Sequence, residues 1–316
     1  MIQLIIRRVL LLIPILLGVS IVTFTLVRML PGDPAQISIG VDQRTTPEVI
    51  ANVRKAYGLD QPPPVQYIRW MEHVVQGDLG DSLRTKRPVW TEIELRLPVT
   101  VQLTLMAGLL GLIPGVAVGI LAALKRNSVA DYVATMVTLL GISSPSFLIA
   151  TLLIFLFTYK LKWLPPVGYE KFSEDPVQNL KSLIMPAISL ALPFAAIMMR
   201  NTRSAVLEVI SQDYVRVARA KGLTNTRVLI RHVLPNSALP ILTVGGIQLA
   251  GFLGGTVIIE EIFGLPGLGR YIYQAIQNRD YPVVQGVTLV LATMFVLVTV
   301  VVDVLYAVVD PRLRRS

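Results

Sequence analysis

The residues able to do chemistry in this chain are few and scattered. Its two histidines, His73 and His232, lie far apart with no metal-ligand spacing between them. There is no cysteine, which excludes disulfides, thiolate catalysis and cysteine-bound zinc. No Walker A pattern occurs, so the chain brings no P-loop nucleotide site of its own. Gly267-Leu268-Gly269 is too short a glycine signal to cradle phosphate and reads as turns. Three polar groups remain, all set in apolar runs. Asp303 stands alone; a proton relay would want a second acid at mid-span and none is there, so pairing with a nearby arginine or backbone group is the plainer reading. Glu260 and Glu261 end another run, where they can meet an outside partner or simply face the interface. Ser143, Ser144 and Ser146 flank Pro145. Their hydroxyls can satisfy backbone groups freed by the proline or line a watery route, and both readings stay open.

A fourth feature is denser. Residues 213–235, DYVRVARAKGLTNTRVLIRHVLP, are strongly basic and wedged between two long apolar stretches. Asp213 is expected to cap a two-turn helix over 214–221, Lys221 suits its negative end, and Gly222 can close it in the left-handed conformation. Ala218 and Ala220 are small enough to let a groove wall approach. Thr224 or Thr226 opens the next helix, and Pro235 is expected to close it. A solvated basic loop explains the charge but not a capped, small-residue helix with a glycine stop. Such a helix is marginal alone and needs tertiary contacts to persist.

The elements that hold these residues are membrane helices. Only 16% of the 316 residues are charged, against about 25% in soluble proteins, and mean hydropathy is +0.63. Six apolar stretches can cross a bilayer: 9–29, 99–124, 132–158, 183–203, 237–260 and 283–308. The first follows Arg7 and Arg8 and reads as a retained span, because its apolar run is too long for a signal peptide and no cleavage pattern follows. The net charge of +9 sits between apolar runs rather than on a soluble face, which argues for membrane and against nucleic acid. With the N-terminus inside, the inner segments carry 14 Lys and Arg and the short outer loops 6, so both termini are expected to be cytoplasmic. Most in-span glycines and prolines are expected to serve close helix packing.

The loop 31–97 is long enough for structure of its own. A helix is expected from Thr46-Pro47 to a stop at Gly58, and a second over 65–76 ended by Gly77, with Ile68, Met71 and Val75 on its packed face. Arg28 is expected to snorkel. Trp163 and Tyr169 suit an outer aromatic belt. The organisation is therefore a first span (1–30), an extracytoplasmic helical insertion (31–97) and a five-helix core (98–316) with a cytoplasmic loop at 204–235. The fold class is all-α, with six transmembrane helices.

The spacing from Gly222 to Leu234-Pro235 resembles the EAA loop of ATP-binding-cassette import permeases. Arg216 replaces the usual glutamate and His232 the usual isoleucine. The wording ARAKGL…RHVLPN, the N-terminal RR…LPGDP, FGLPGLGR…NRDYPVVQG from Phe263 and the closing VVDVLYAVVDPR resemble the dipeptide/oligopeptide branch from end to end. The resemblance implies a type I importer permease fold in a bacterial inner membrane. It implies a helix, Asp213, Tyr214, Arg216, Val217, Ala218, Arg219, Ala220 and Lys221 with Gly222, that couples to a separate ATPase. It also implies partners: a homologous second permease, two ATPase subunits holding ATP and magnesium, and an extracytoplasmic substrate-binding protein, with Glu260 and Glu261 as candidate contacts for the last. Peptide, nickel, glutathione or another small solute would be the cargo. An ion-coupled carrier would need paired ionisable groups deep in its spans; a non-transporting scaffold would leave the 213–235 segment without a task.

Overall fold

The computed structural model describes residues 2–29, 48, 51, 54–55 and 60–309. The helix expected between Thr46 and Gly58 lies outside the described residues. Among those described the chain is helical, with no strand beyond one isolated bridge between Asp81 and Pro88. In order the helices are α1 (Ile2–Met29), α2 (Pro63–Val75), α3 (Val89–Leu124), α4 (Val129–Ser143), α5 (Ser146–Leu153, running on as a π-helical segment Ile154–Lys160), α6 (Pro176–Ile210), α7 (Asp213–Ala220), α8 (Asn225–Val228, followed by a π-helical turn Leu229–Val233), α9 (Leu234–Ile262), α10 (Leu268–Gln277) and α11 (Tyr281–Val309).

Five stretches are long and apolar enough to span: Leu10–Met29, Val89–Leu124, Pro176–Ile210, Asn225–Ile262 and Tyr281–Tyr306. The sixth, expected as one run over 132–158, is instead α4 and α5 meeting at 100°. Proline forces the break. Ser144, which precedes Pro145, is pushed to an extended backbone at φ −91° and ψ 116°. Its hydroxyl then donates to the Leu140 carbonyl at 2.7 Å. Pro235 does the opposite of what was expected. It lies inside a helix that continues from Asn225 to Ile262, because the π-helical turn before it widens the ladder where proline offers no N–H.

The chain packs as two compact units. One comprises the described residues within Met1–Arg8, Thr100–Leu265 and Phe295–Ser316; the other those within Val9–Val99 and Pro266–Met294. Packing thus divides α3 near residue 100 and groups 266–294 with most of α1, α2 and the start of α3.

The first unit is built around α6. At 35 residues α6 is about 52 Å long, well beyond the ~30 Å hydrocarbon core, so it must emerge from the membrane. It buries Leu183, Met185, Phe194, Met198 and Val206 among others. Helix α3 meets it through glycine. A Cβ at Gly111 would lie 2.9 Å from the Ala191 carbonyl oxygen, at Gly115 2.6 Å from that of Ala195, and at Gly119 2.7 Å from that of Met199. The four-residue spacing puts all three on one helix face, so the backbones touch. Gly108, Gly141 and Gly246 are equally tight, but Gly251, Gly254 and Gly255 have nothing within 4 Å.

In the second unit, Leu79, Val89, Ile93, Leu268, Tyr281 and Val287 form a buried core. Asp280 is buried and accepts from Ser82 Oγ at 2.5 Å and from Leu83 N at 3.0 Å, tying the turn before α3 to the turn before α11. Helix α2 ends as expected: Gly77 takes φ +83°, and Gly77 N and Asp78 N close on Val74 O and His73 O. Its packed face, however, is not Ile68–Met71–Val75. Ile68 and Val75 point outward, and Tyr67 and Trp70 pack against Phe24 of α1. Arg28 joins that cluster. It stacks over Phe24, 3.3 Å from the ring centre, and donates to Gln66 Oε1 at 2.7 Å. Burial pushes the Tyr271 hydroxyl up to about 12, with Arg96 above its ring pulling the other way.

Candidate functional site

The site is the surface carried by α7. Gln212 sits at its N-cap and makes no side-chain cap bond, so Asp213 is the first helical residue and not the cap expected of it. There its carboxylate still complements the positive helix end, and Arg216 Nη1 reaches it at 3.5 Å. Val215 and Ala218, three apart, face inward. Val215 is 0% exposed, and burial of a valine contributes roughly 1.5–3 kcal/mol. They pack with Ala123 of α3, Val206 of α6, and Val228 and Val233 beyond the loop. This core holds the short helix in place. It also means that Ala218 serves the chain's own packing, while Ala220 alone of the two alanines faces out.

The outward face follows from the same spacing. Tyr214 is 44% and Val217 52% exposed, and Arg216, Arg219, Ala220 and Lys221 surround them. Two apolar anchors ringed by cations are suited to docking a folded partner. Gly222 closes the helix at φ +83°, its N–H donating to Arg219 O at 2.9 Å and that of Leu223 to Ala218 O at 3.4 Å. This pair of reversed bonds turns the chain so that Leu223 packs on the inner cluster. Nothing stands within 4 Å of a Cβ added at Gly222, so glycine is needed for its backbone, not for room. Thr224, not Thr226, caps the next helix, accepting from Arg227 N at 3.4 Å. A shallow groove beside it is lined by Thr224, Thr226, Arg227, Ile230, Arg231 and Pro235.

Behind α7, the C-terminal part of α6 is gripped by a pair that the sequence did not single out. Arg203 Nε donates to Asp131 Oδ1 at 2.7 Å and Nη2 to Oδ2 at 2.8 Å. Asp131 was hidden as one acid in an apolar stretch; its position at the start of α4, next to Ser128 as the cap, was the only available signal.

The other candidate residues lie elsewhere. Ser143, Ser144 and Ser146 stand at the α4–α5 elbow, with Ser143 exposed and the other two partly so. Glu260 is 0% exposed and accepts from Thr100 Oγ1 at 2.8 Å, so in this conformation it is not the surface contact expected of it. Its neighbour Glu261 is exposed. Asp303 is buried in α11, facing protein as the cost of a charge in lipid requires. Trp163 is exposed.

Comparison with known proteins agrees with this geometry. Residues 115–315 match the family described as binding-protein-dependent transport system inner membrane component, and residues 1–104 match the N-terminal part of such components. A dipeptide transport system permease protein, DppB, of Alkalihalophilus pseudofirmus is 41% identical, with 98% of each chain covered. A putative peptide transport system permease protein of Brucella abortus is 44% identical, with 99% of each covered. The glutathione transport system permease protein GsiC of Salmonella paratyphi A is 40% identical, again with 99% of each covered. Among solved structures, the MetNI methionine ABC transporter in inward-facing form superposes with a TM-score of 0.56 at 17% identity, over 69% of this chain and 96% of that one. That likeness establishes the importer-permease fold. The chain belongs to the family of inner-membrane components of binding-protein-dependent transport systems.

Proposed function

We propose that this chain forms half of the translocation path of an ATP-driven importer for di- and oligopeptides. The observation that carries the reading is α7: a basic, apolar-anchored face, fixed from behind by a buried core and closed by a left-handed glycine. The full-length likeness to permeases named for dipeptide and peptide transport supports the cargo. In this reading a homologous second permease completes the path. Two separate ATPase subunits, which hold ATP and magnesium, dock on Tyr214, Val217 and the surrounding cations. An extracytoplasmic binding protein delivers the peptide, with Glu261 in its contact area and Glu260 reaching it only if the surface opens. ATP-driven closure of the ATPases moves α7, and the permeases alternate between inward-open and outward-open states biased by those contacts. Ser143, Ser144 and Ser146 at the elbow border the path. Both termini and the 204–235 loop are cytoplasmic.

Glutathione is the second reading, because a glutathione permease is nearly as similar over the same length. Calorimetric titration of the cognate binding protein with dipeptides, tripeptides and glutathione separates the two. The coupling assignment is tested at Gly222 in the reconstituted complex. Gly222→Val places a β-branched residue in the left-handed region, a strain of about 1–2 kcal/mol, whereas Gly222→Asn tolerates it. ATP-driven uptake should fall strongly in the valine variant and survive in the asparagine one. Equal uptake by both would remove α7 from the coupling route.

A further inference from the structure

The Asp131–Arg203 pair is more than an isolated contact. Asp131 is 4% and Arg203 28% exposed in the side chain, so the pair is largely shielded from water. The two parallel bonds fix distance and angle together. Asp131 is held a second time, because Oδ2 accepts from Asn127 N at 3.0 Å, and Asn127 itself sits at φ 61° in the turn between α3 and α4. A single carboxylate therefore locks the start of α4 to that turn and to α6. Arg203 stands two turns before the end of α6, and the turns that follow, through Val206, Leu207, Val209 and Ile210, pack in the same cluster as Val215 and Ala218 of α7. Further along, α4 stays on α6: Thr138 Oγ1 donates to Met199 Sδ at 3.0 Å, and a Cβ at Gly141 would lie 2.8 Å from Ala196 Cβ. Those contacts set how closely the two helices approach, and the guanidinium fork adds a charge-assisted, two-bond fix of distance and angle. At its far end α4 carries the Ser144–Pro145 elbow.

We propose that the Asp131–Arg203 ion pair is the joint through which movement of α7 is passed by way of α6 to α4 and so to the elbow. The two are positioning residues, acting through the helices that they join. The inference rests on the permease reading above and adds to it the path of force inside the subunit.

The test uses the complete importer, reconstituted with its ATPases and binding protein. Asp131→Asn keeps an acceptor for Asn127 and removes the charge; Arg203→Lys keeps the charge and removes the fork. Both variants should assemble and hydrolyse ATP, while peptide taken up per ATP falls about tenfold or more. The exchanged pair, Asp131→Arg with Arg203→Asp, should recover part of that loss, as a pair acting through its own contact requires. The chain has no cysteine, so spin labels at Tyr132→Cys and Ser211→Cys read the joint directly. In the native complex their distance should stay constant between nucleotide-free and ATP-trapped states, and in Asp131→Asn it should change. Unaltered uptake per ATP in both single variants, or a label distance as constant in Asp131→Asn as in the native complex, overturns the joint alone. A native complex with no ATP-driven uptake sinks the permease reading instead.

Discussion

At the scale of single residues, α7 separates two tasks that its sequence mixes. Val215, Ala218 and Leu223 belong to the chain's own core, and Tyr214, Arg216, Val217, Arg219 and Lys221 form the exposed face that the proposed docking would use. The Arg216–Asp213 pair is solvent-exposed on both sides and leaves the arginine available to a partner. Charge at such a surface steers association and is screened over a Debye length of about 10 Å at 0.1 M salt. Reversal of Arg216 and Arg219 to glutamate should therefore weaken ATPase binding at low salt, by roughly tenfold, with the difference shrinking at 0.5 M and above. Surface-bound permease titrated with ATPase at two ionic strengths measures it. Affinity indifferent to the reversal would move the docking face off the cations.

At the scale of elements, one contact that holds the first unit together is the glycine seam of α3 on α6. A side chain at Gly115 meets the carbonyl oxygen of Ala195 and the Met198 Cβ, and neither is a flexible tip. Relief would require the two helices to separate, at about 1–3 kcal/mol for the overpacking. Gly115→Leu should lower the thermal midpoint of the purified chain in detergent by several degrees, on the order of 2–4 °C per kcal/mol for a unit of this size. Gly251→Leu, with nothing within 4 Å, is the matched control and should leave it nearly unchanged. Equal midpoints for the two variants would show that the seam can open at no cost. The α4–α5 elbow is the other element-level feature, where one proline and three serines replace a straight span by two segments.

At the scale of the whole molecule, the excess of Lys and Arg in one set of loops predicts which side each loop faces. Arg126 lies in a loop of the inner set and Lys171 in one of the outer set, and both are exposed. With no native cysteine to interfere, Lys171→Cys should react with a membrane-impermeant maleimide in intact cells, and Arg126→Cys only after permeabilisation. The reverse pattern would put α7 on the outside, away from any cytoplasmic ATPase.

Much of this protein was settled by one-dimensional patterns. Apolar runs of membrane length gave the spans apart from the bend in the one over 132–158, the imbalance of cations their expected orientation, and the Gly77 and Gly222 stops were legible because glycine takes a left-handed backbone at no steric cost. Tertiary structure decided what depends on which side of a helix faces its neighbours. It turned Ala218 inward, turned Ile68 and Val75 of α2 outward, buried Glu260 against Thr100, and carried α9 through Pro235 by widening the turn before it. It alone joined Asp131 to Arg203, 72 residues apart, because an ion pair between helices leaves no periodicity in either one. Spacing along the chain encodes local conformation; which faces meet is set by close packing of helices distant in sequence.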